Sequence, residues 1–149
     1  MFKFSRRSLN NLEGLTSSLV EVCYKAIDLT EVDFGIICGM RTYEEQLQNY
    51  KNGATQTMHS KHLTGDAVDV MAYIGSRGSW ELELYYKIAD AFKQAAISEN
   101  VKVRWGGAWS VPDIREWKGS MEDAQMSYID LRRSQGQKPF LDSGHFELN

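Results

Sequence analysis

Apolar residues in the first part of the chain recur at helical spacing. Leu12, Leu15, Leu19, Val22, Cys23, Ala26 and Leu29 fall three or four positions apart, which predicts one amphipathic helix over 8–30 with that stripe turned to the core. The period then changes. Residues 32–39 are rich in β-branched and aromatic types and end on Gly39, as a strand requires. Thr42 with Glu45 three positions on is a capping-box pattern, so a helix is predicted from there to about residue 51, leaving Arg41 at the strand-to-helix junction.

Residues 52–65 are polar and contain glycine, which predicts a loop carrying His59, Ser60 and His62. A strand follows over 66–73, with Ala67, Asp69 and Met71 on one face and Val68, Val70 and Ala72 on the other. Residues 74–79 read as a turn, and 79–98 as a long helix whose Leu84, Ile88, Ala91, Phe92, Ala95 and Ala96 pack inward. A short strand over 101–105 runs into the Gly106-Gly107-Ala108-Trp109 turn, which brings Trp105 and Trp109 near each other. Residues 110–138 are mixed and polar with a helix predicted around 122–132, and 144–148 alternate as a last strand. Without a repeat or a linker, residues 1–149 are expected to form one α+β domain.

Composition narrows the partners more than the fold. A 149-residue chain with 42% hydrophobic and 25% charged residues can bury a core of its own, so no metal is needed to hold it folded. A net charge of -3 offers no field for nucleic acid or an acidic membrane surface. The first residues, Met1 to Arg7, lead into mixed polar sequence without the apolar stretch of a signal peptide or a membrane span. Synthesis in the cytoplasm is expected, with action elsewhere only after release. Cys23 and Cys38 lie in apolar patterns and read as free thiols.

One residue resists this ordinary reading. Asp69 sits among apolar neighbours in a strand, where a carboxylate needs a donor, a cation or a metal. His62 lies seven residues before it, and Asp142-Ser143-Gly144-His145 brings another imidazole and carboxylate near the far end. Hydrolytic zinc takes three ligands from His, Asp and Glu plus an open position, and His62, Asp69 and His145 supply such a set. Asp142, three residues before His145, is a candidate base; a turn-capping aspartate is the rival reading, and Glu147 is a weaker candidate on the strand face of His145. Arg41 can stabilise an oxyanion or bind a carboxylate, or simply pair with Glu44 or Glu45. Trp105 and Trp109 fill the core or wall a groove, and His59 competes with His62 as a ligand.

These residues also form a known pattern. Ser60-x-His62-x-x-Gly65-x-Ala67-x-Asp69 resembles the signature of the zinc D-alanyl-D-alanine peptidase superfamily, and Asp142-x-x-His145 resembles its L-alanyl-D-glutamate endopeptidase branch, which includes phage endolysins. The Gly39-to-Gln46 stretch with Arg41 and the Trp105-Gly106-Gly107-Ala108-Trp109 turn are similar to two further landmarks, in the same order. The resemblance implies a small antiparallel sheet with surrounding helices, as in the hedgehog signalling domain. It implies zinc on His62, Asp69 and His145, Asp142 as base and Arg41 as transition-state stabiliser. Ser60, Gln46, Trp105 and Trp109 are then candidates for substrate contact. The implied partner is the peptidoglycan stem peptide, cut between L-alanine and D-glutamate by a monomer that reaches the wall after the membrane is breached. Three other readings stay open: a D-alanyl-D-alanine carboxypeptidase or dipeptidase, a hedgehog-like domain that keeps zinc without catalysis, and a structural zinc site closed by a fourth protein ligand such as His59. Residues 110–138 match no pattern and are expected to be a lid or a specificity loop.

Overall fold

A computed structural model describes residues 1–55 and 57–149. Helices α1 (Arg6–Leu12) and α2 (Ser17–Leu29) precede strand β1 (Asp33–Cys38) and helix α3 (Tyr43–Lys51). A 3-10 turn (Lys61–Thr64) leads into β2 (Ala67–Ile74), β3 (Arg77–Ser79), α4 (Leu82–Glu99) and β4 (Val103–Trp105). A second 3-10 turn (Ile114–Glu116), α5 (Met121–Ser134) and β5 (His145–Leu148) complete the order. The strands form one antiparallel sheet in the order β1-β2-β5-β4, with β3 paired to β2 as a hairpin. This is the α+β architecture that the sequence predicts.

The period-two pattern of β2 explains how the sheet divides core from chemistry. Val68, Val70 and Ala72 are fully buried on one face, whereas Asp69 and Met71 on the other keep some exposure. Against the buried face pack α2, through Leu19, Val22 and Ala26, and α4, through Ile88, Phe92 and Ala95. A run of aromatic contacts crosses this core: Phe92 stacks on Phe146 with centroids 3.8 Å apart, and Phe34 and Trp105 flank that pair.

Three expectations need correction. The predicted helix over 8–30 is two helices, because Gly14 between them adopts φ +81, which breaks the backbone while Leu12, Leu15 and Leu19 still face inward. The turn over 74–79 contains a strand, β3, whose polar sequence carries no alternating signal. Residues 110–138 are not a lid. Ile114, Met121 and Ala124 are fully buried, and the phenol of Tyr128 both donates to the Phe140 carbonyl and accepts from the Phe140 N–H. Helix α5 therefore supports the segment that leads to Asp142. Its Gln125 adds to this by accepting from the Ser143 hydroxyl at 3.3 Å and donating to Tyr86.

Glycine closes the same corner from the other side. Gly106 accepts from the Asp142 N–H at 2.8 Å and donates to the His145 carbonyl at 2.8 Å, so two segments meet with no room for a side chain. A β-carbon at Gly106 would lie 2.3 Å from the Asp142 carbonyl oxygen. Gly106→Ala is expected to cost about 1–3 kcal/mol, the usual range for overpacking. Urea denaturation measures it; a midpoint equal to wild type would mean that the corner yields freely.

Candidate metal centre

His62 is placed by a short, fully capped turn. The Ser60 hydroxyl accepts from the His62 N–H at 3.2 Å, and Gly65 ends the turn at φ +78, where a β-carbon would stand 2.9 Å from the Gly14 carbonyl. The Arg41 N–H donates to the His62 carbonyl at 3.0 Å, tying this turn to the start of α3. Thr42 and Glu45 make the predicted capping box there. Asp69 arrives from β2, and β5 pairs with β2 so that His145 stands directly opposite Asp69. An irregularity in β1 between Ile36 and Cys38 brings Cys38 opposite Asp69 on the other side.

The result is one carboxylate between two imidazoles. His62 Nε2 lies 3.2 Å from Asp69 Oδ2, and His145 Nδ1 lies 3.0 Å from Asp69 Oδ1. The other nitrogen of each ring is already engaged: His62 Nδ1 is 2.8 Å from the Gly39 carbonyl, which can only accept, and His145 Nε2 is 2.8 Å from Glu147 Oε1. These partners take an N–H from the outer nitrogen of each ring, so Nε2 of His62 and Nδ1 of His145 are left to face Asp69. His62 is 2% exposed, yet its Nε2 has no hydrogen-bond partner despite the nearby oxygen. A buried nitrogen of this kind, aimed at a carboxylate, takes either a proton or a cation.

The donors fit a divalent metal with nitrogen and oxygen ligands. Asp69, Asp142 and His145 offer ligand atoms within 4.8 Å of one another, as do Cys38, His62 and Asp69, and Asp69 is common to both groups. The Cys38 thiol lies 3.8 Å from His62 Nδ1, the nitrogen turned to Gly39, whereas Asp69 faces the other ring nitrogen, Nε2. Asp142 Oδ2 stands 3.9 Å from His145 Nδ1 with its side chain half open to the cleft. Burial raises its pKa and the Asp69 charge adds to that, against the lowering pull of His145, His62 and Arg41. Such an acid can carry a proton more readily than an ordinary aspartate.

These groups line a cleft of about 430 Å³ that also includes Arg41, Ser60, Trp109 and Phe140. A groove of about 500 Å³ between α2 and α4 is larger but holds none of this chemistry. Arg41 is held on three sides, with NH1 donating to Gln46 Oε1 at 2.7 Å and NH2 lying 3.5 Å from the Cys38 sulfur and 3.4 Å from Asp69 Oδ2. Trp109 packs beside His145 with centroids 5.5 Å apart.

Two expected substrate contacts are corrected. Trp105 is fully buried, stacked on Phe146 and donating its indole N–H to the Ser143 carbonyl, so it supports the corner from beneath. Gln46 is also fully buried, and its amide holds Arg41 and the Thr57 carbonyl. Ser60 and Trp109 do line the cleft. His59 lines it as well, but it is exposed and belongs to neither group of clustered ligand atoms. Lys61, which the sequence pattern does not single out, lines the cleft, and so does Glu147, the weaker candidate for the base, which period-two alternation puts on the face of His145.

Comparison with known proteins follows the same line. All of residues 1–149 match the family described as phage L-alanyl-D-glutamate peptidase. The L-alanyl-D-glutamate peptidase of Escherichia phage T5 is 35% identical over 113 residues, covering 73% of this chain and 82% of that protein. The enzyme of the same name from Listeria phage A118 is 33% identical over 107 residues, 70% of this chain but 37% of that longer protein. The crystal structure of Serratia marcescens L-Ala D-Glu endopeptidase ChiX superposes with a TM-score of 0.74 at 32% identity, covering 99% of this chain and 90% of that one.

The site has a clear signature in pH. In the metal-free chain, burial pulls both imidazoles down, but Asp69 with Cys38 holds His62 up to about 10, and Asp69 with Glu147 holds His145 up to about 9. An unfolded imidazole titrates near ~6.5, so the stabilisation from these pairs is complete below that pH and is lost as pH rises through both folded values. The thermal midpoint of chelator-treated protein is expected to fall from about pH 7 to about pH 10, with a shallower fall in Asp69→Asn. Calorimetry across that range checks it; parallel profiles for the two proteins would remove Asp69 as the cause.

Proposed function

This chain belongs to the phage L-alanyl-D-glutamate peptidase family, and from that membership we propose that it hydrolyses the amide between L-alanine and D-glutamate in the peptidoglycan stem peptide. It does so as a zinc endopeptidase in phage-driven lysis, with residues 1–149 as one catalytic domain. The observation that carries the zinc reading is the buried, unpartnered His62 Nε2, turned to the same carboxylate as His145 Nδ1. No described helix is long and apolar enough to cross a membrane.

His62, Asp69 and His145 would hold the metal. When bound, zinc supplies a Lewis acid that polarises the scissile carbonyl and makes water acidic enough to lose a proton near neutral pH. The chain supplies the rest. Asp142, beside His145 and open to the cleft, takes the proton of the attacking water on a carboxylate oxygen and delivers it to the D-glutamate nitrogen as the amide breaks. Its raised pKa suits both halves of that transfer. The Arg41 guanidinium, fixed by Gln46, places positive charge where the carbonyl oxygen gains negative charge or where a substrate carboxylate docks. Trp109 and Phe140 form an apolar wall beside these charges, and Ser60 keeps the His62 turn in place.

Digestion of purified peptidoglycan, with and without a chelator, tests the reading through the new amino ends found by mass spectrometry. Metal-dependent exposure of D-glutamate amines is expected; release of D-alanine would assign the site to the carboxypeptidase branch, and an intact wall with zinc present would leave a binding domain. Asp142→Asn is expected to retain zinc and lose about 100-fold or more in rate, since general acid–base groups contribute ~10²–10⁴-fold. Full activity in that variant would take the proton transfer away from Asp142.

A further inference from the structure

The two proposed ligand imidazoles are steadied by unlike partners. His62 rests on the Gly39 carbonyl, a fixed and uncharged acceptor. His145 rests on the carboxylate of Glu147, itself only 9% exposed, at 2.8 Å. Glu147 in turn faces Lys61, whose ammonium lies 3.9 Å from Oε2 and also donates to the Leu148 carbonyl. Lys61 directly precedes His62, so the pair ties the turn that carries one ligand to the strand that carries another.

Strand register makes room for this arrangement. On β5, His145 and Glu147 point to the same face, and Ala67 of β2 stands opposite Glu147 as Asp69 stands opposite His145. Directly opposed side chains have β-carbons about 4.5–5.5 Å apart, and a methyl group at Ala67 leaves Glu147 free to lie along the strand toward the imidazole. The neighbour on β4, Arg104, is turned away to the Trp109 carbonyl, so among the described residues Lys61 is the lysine or arginine that pairs with Glu147.

We propose that Glu147 is a positioning residue: by accepting the Nε2 proton of His145 it fixes the tautomer that presents Nδ1 to the metal and strengthens that nitrogen as a donor, while Lys61 balances its charge. This rests on the zinc reading above. A carboxylate behind a ligand imidazole raises its basicity, and loss of such a partner typically weakens metal affinity by about 10–100-fold. The effect falls on the metal itself, before any substrate binds.

The test measures zinc affinity by competition with a chelating dye and records the visible spectrum of the cobalt-loaded protein for wild type, Glu147→Gln, Glu147→Ala and His62→Ala. Glu147→Ala is expected to lose about 10–100-fold in affinity with a shifted cobalt spectrum, and Glu147→Gln, which keeps an acceptor oxygen, to lose less. Wild-type affinity and spectrum in folded Glu147→Ala overturn the inference. If that variant does not fold, Glu147→Gln decides, and an unchanged affinity and spectrum there overturn it equally. Wild type that binds no zinc, or binds it as His62→Ala does, removes the metal reading itself, so the two failures are told apart.

Discussion

Asp69 is the constraint from which the structure of the site follows. A carboxylate placed in a strand among fully buried neighbours must have its charge met, and here it is met from four directions: His62, His145, Arg41 and the opening of the cleft. Those contacts hold its pKa well below the usual carboxylate range despite its burial. Each requires a different segment to arrive in register. The capped turn brings His62, the β1 irregularity and the start of α3 bring Arg41, and β5 brings His145.

Proton and metal are competitors in such a site. With no cation present, the electrostatic demand of Asp69 is met by keeping the imidazoles charged, which is why both are pushed up in spite of burial. A metal would take over the same positions and the same role, releasing those protons.

The sequence made the polar half of this site legible because the physics there is local. A capping box, a Ser-x-His turn closed by Gly65 and an Asp in an apolar strand each leave a mark within a few residues, and the structure brings His62, Asp69, Asp142 and His145 into one cleft. Long-range packing left no such mark. Trp105 and Gln46 carry polar groups that suggest substrate contact, but both groups are spent on backbone or side-chain partners inside the fold. The polar surface of α5 likewise hid the buried stripe of Met121, Ala124 and Tyr128 that makes it a support for Asp142. The break at Gly14 is a case of a single positive φ overriding an apolar period that continues through it.

The pairing of Asp69 with His145 spans 76 positions, and β5 is the last strand to enter the sheet in chain order. Contacts of such separation form late, after the entropy of closing the intervening loop has been met. Until β5 pairs with β2, His62 and Asp69 lack the imidazole of His145 that faces Asp69 across the sheet. Completion of the sheet and completion of the centre are one event.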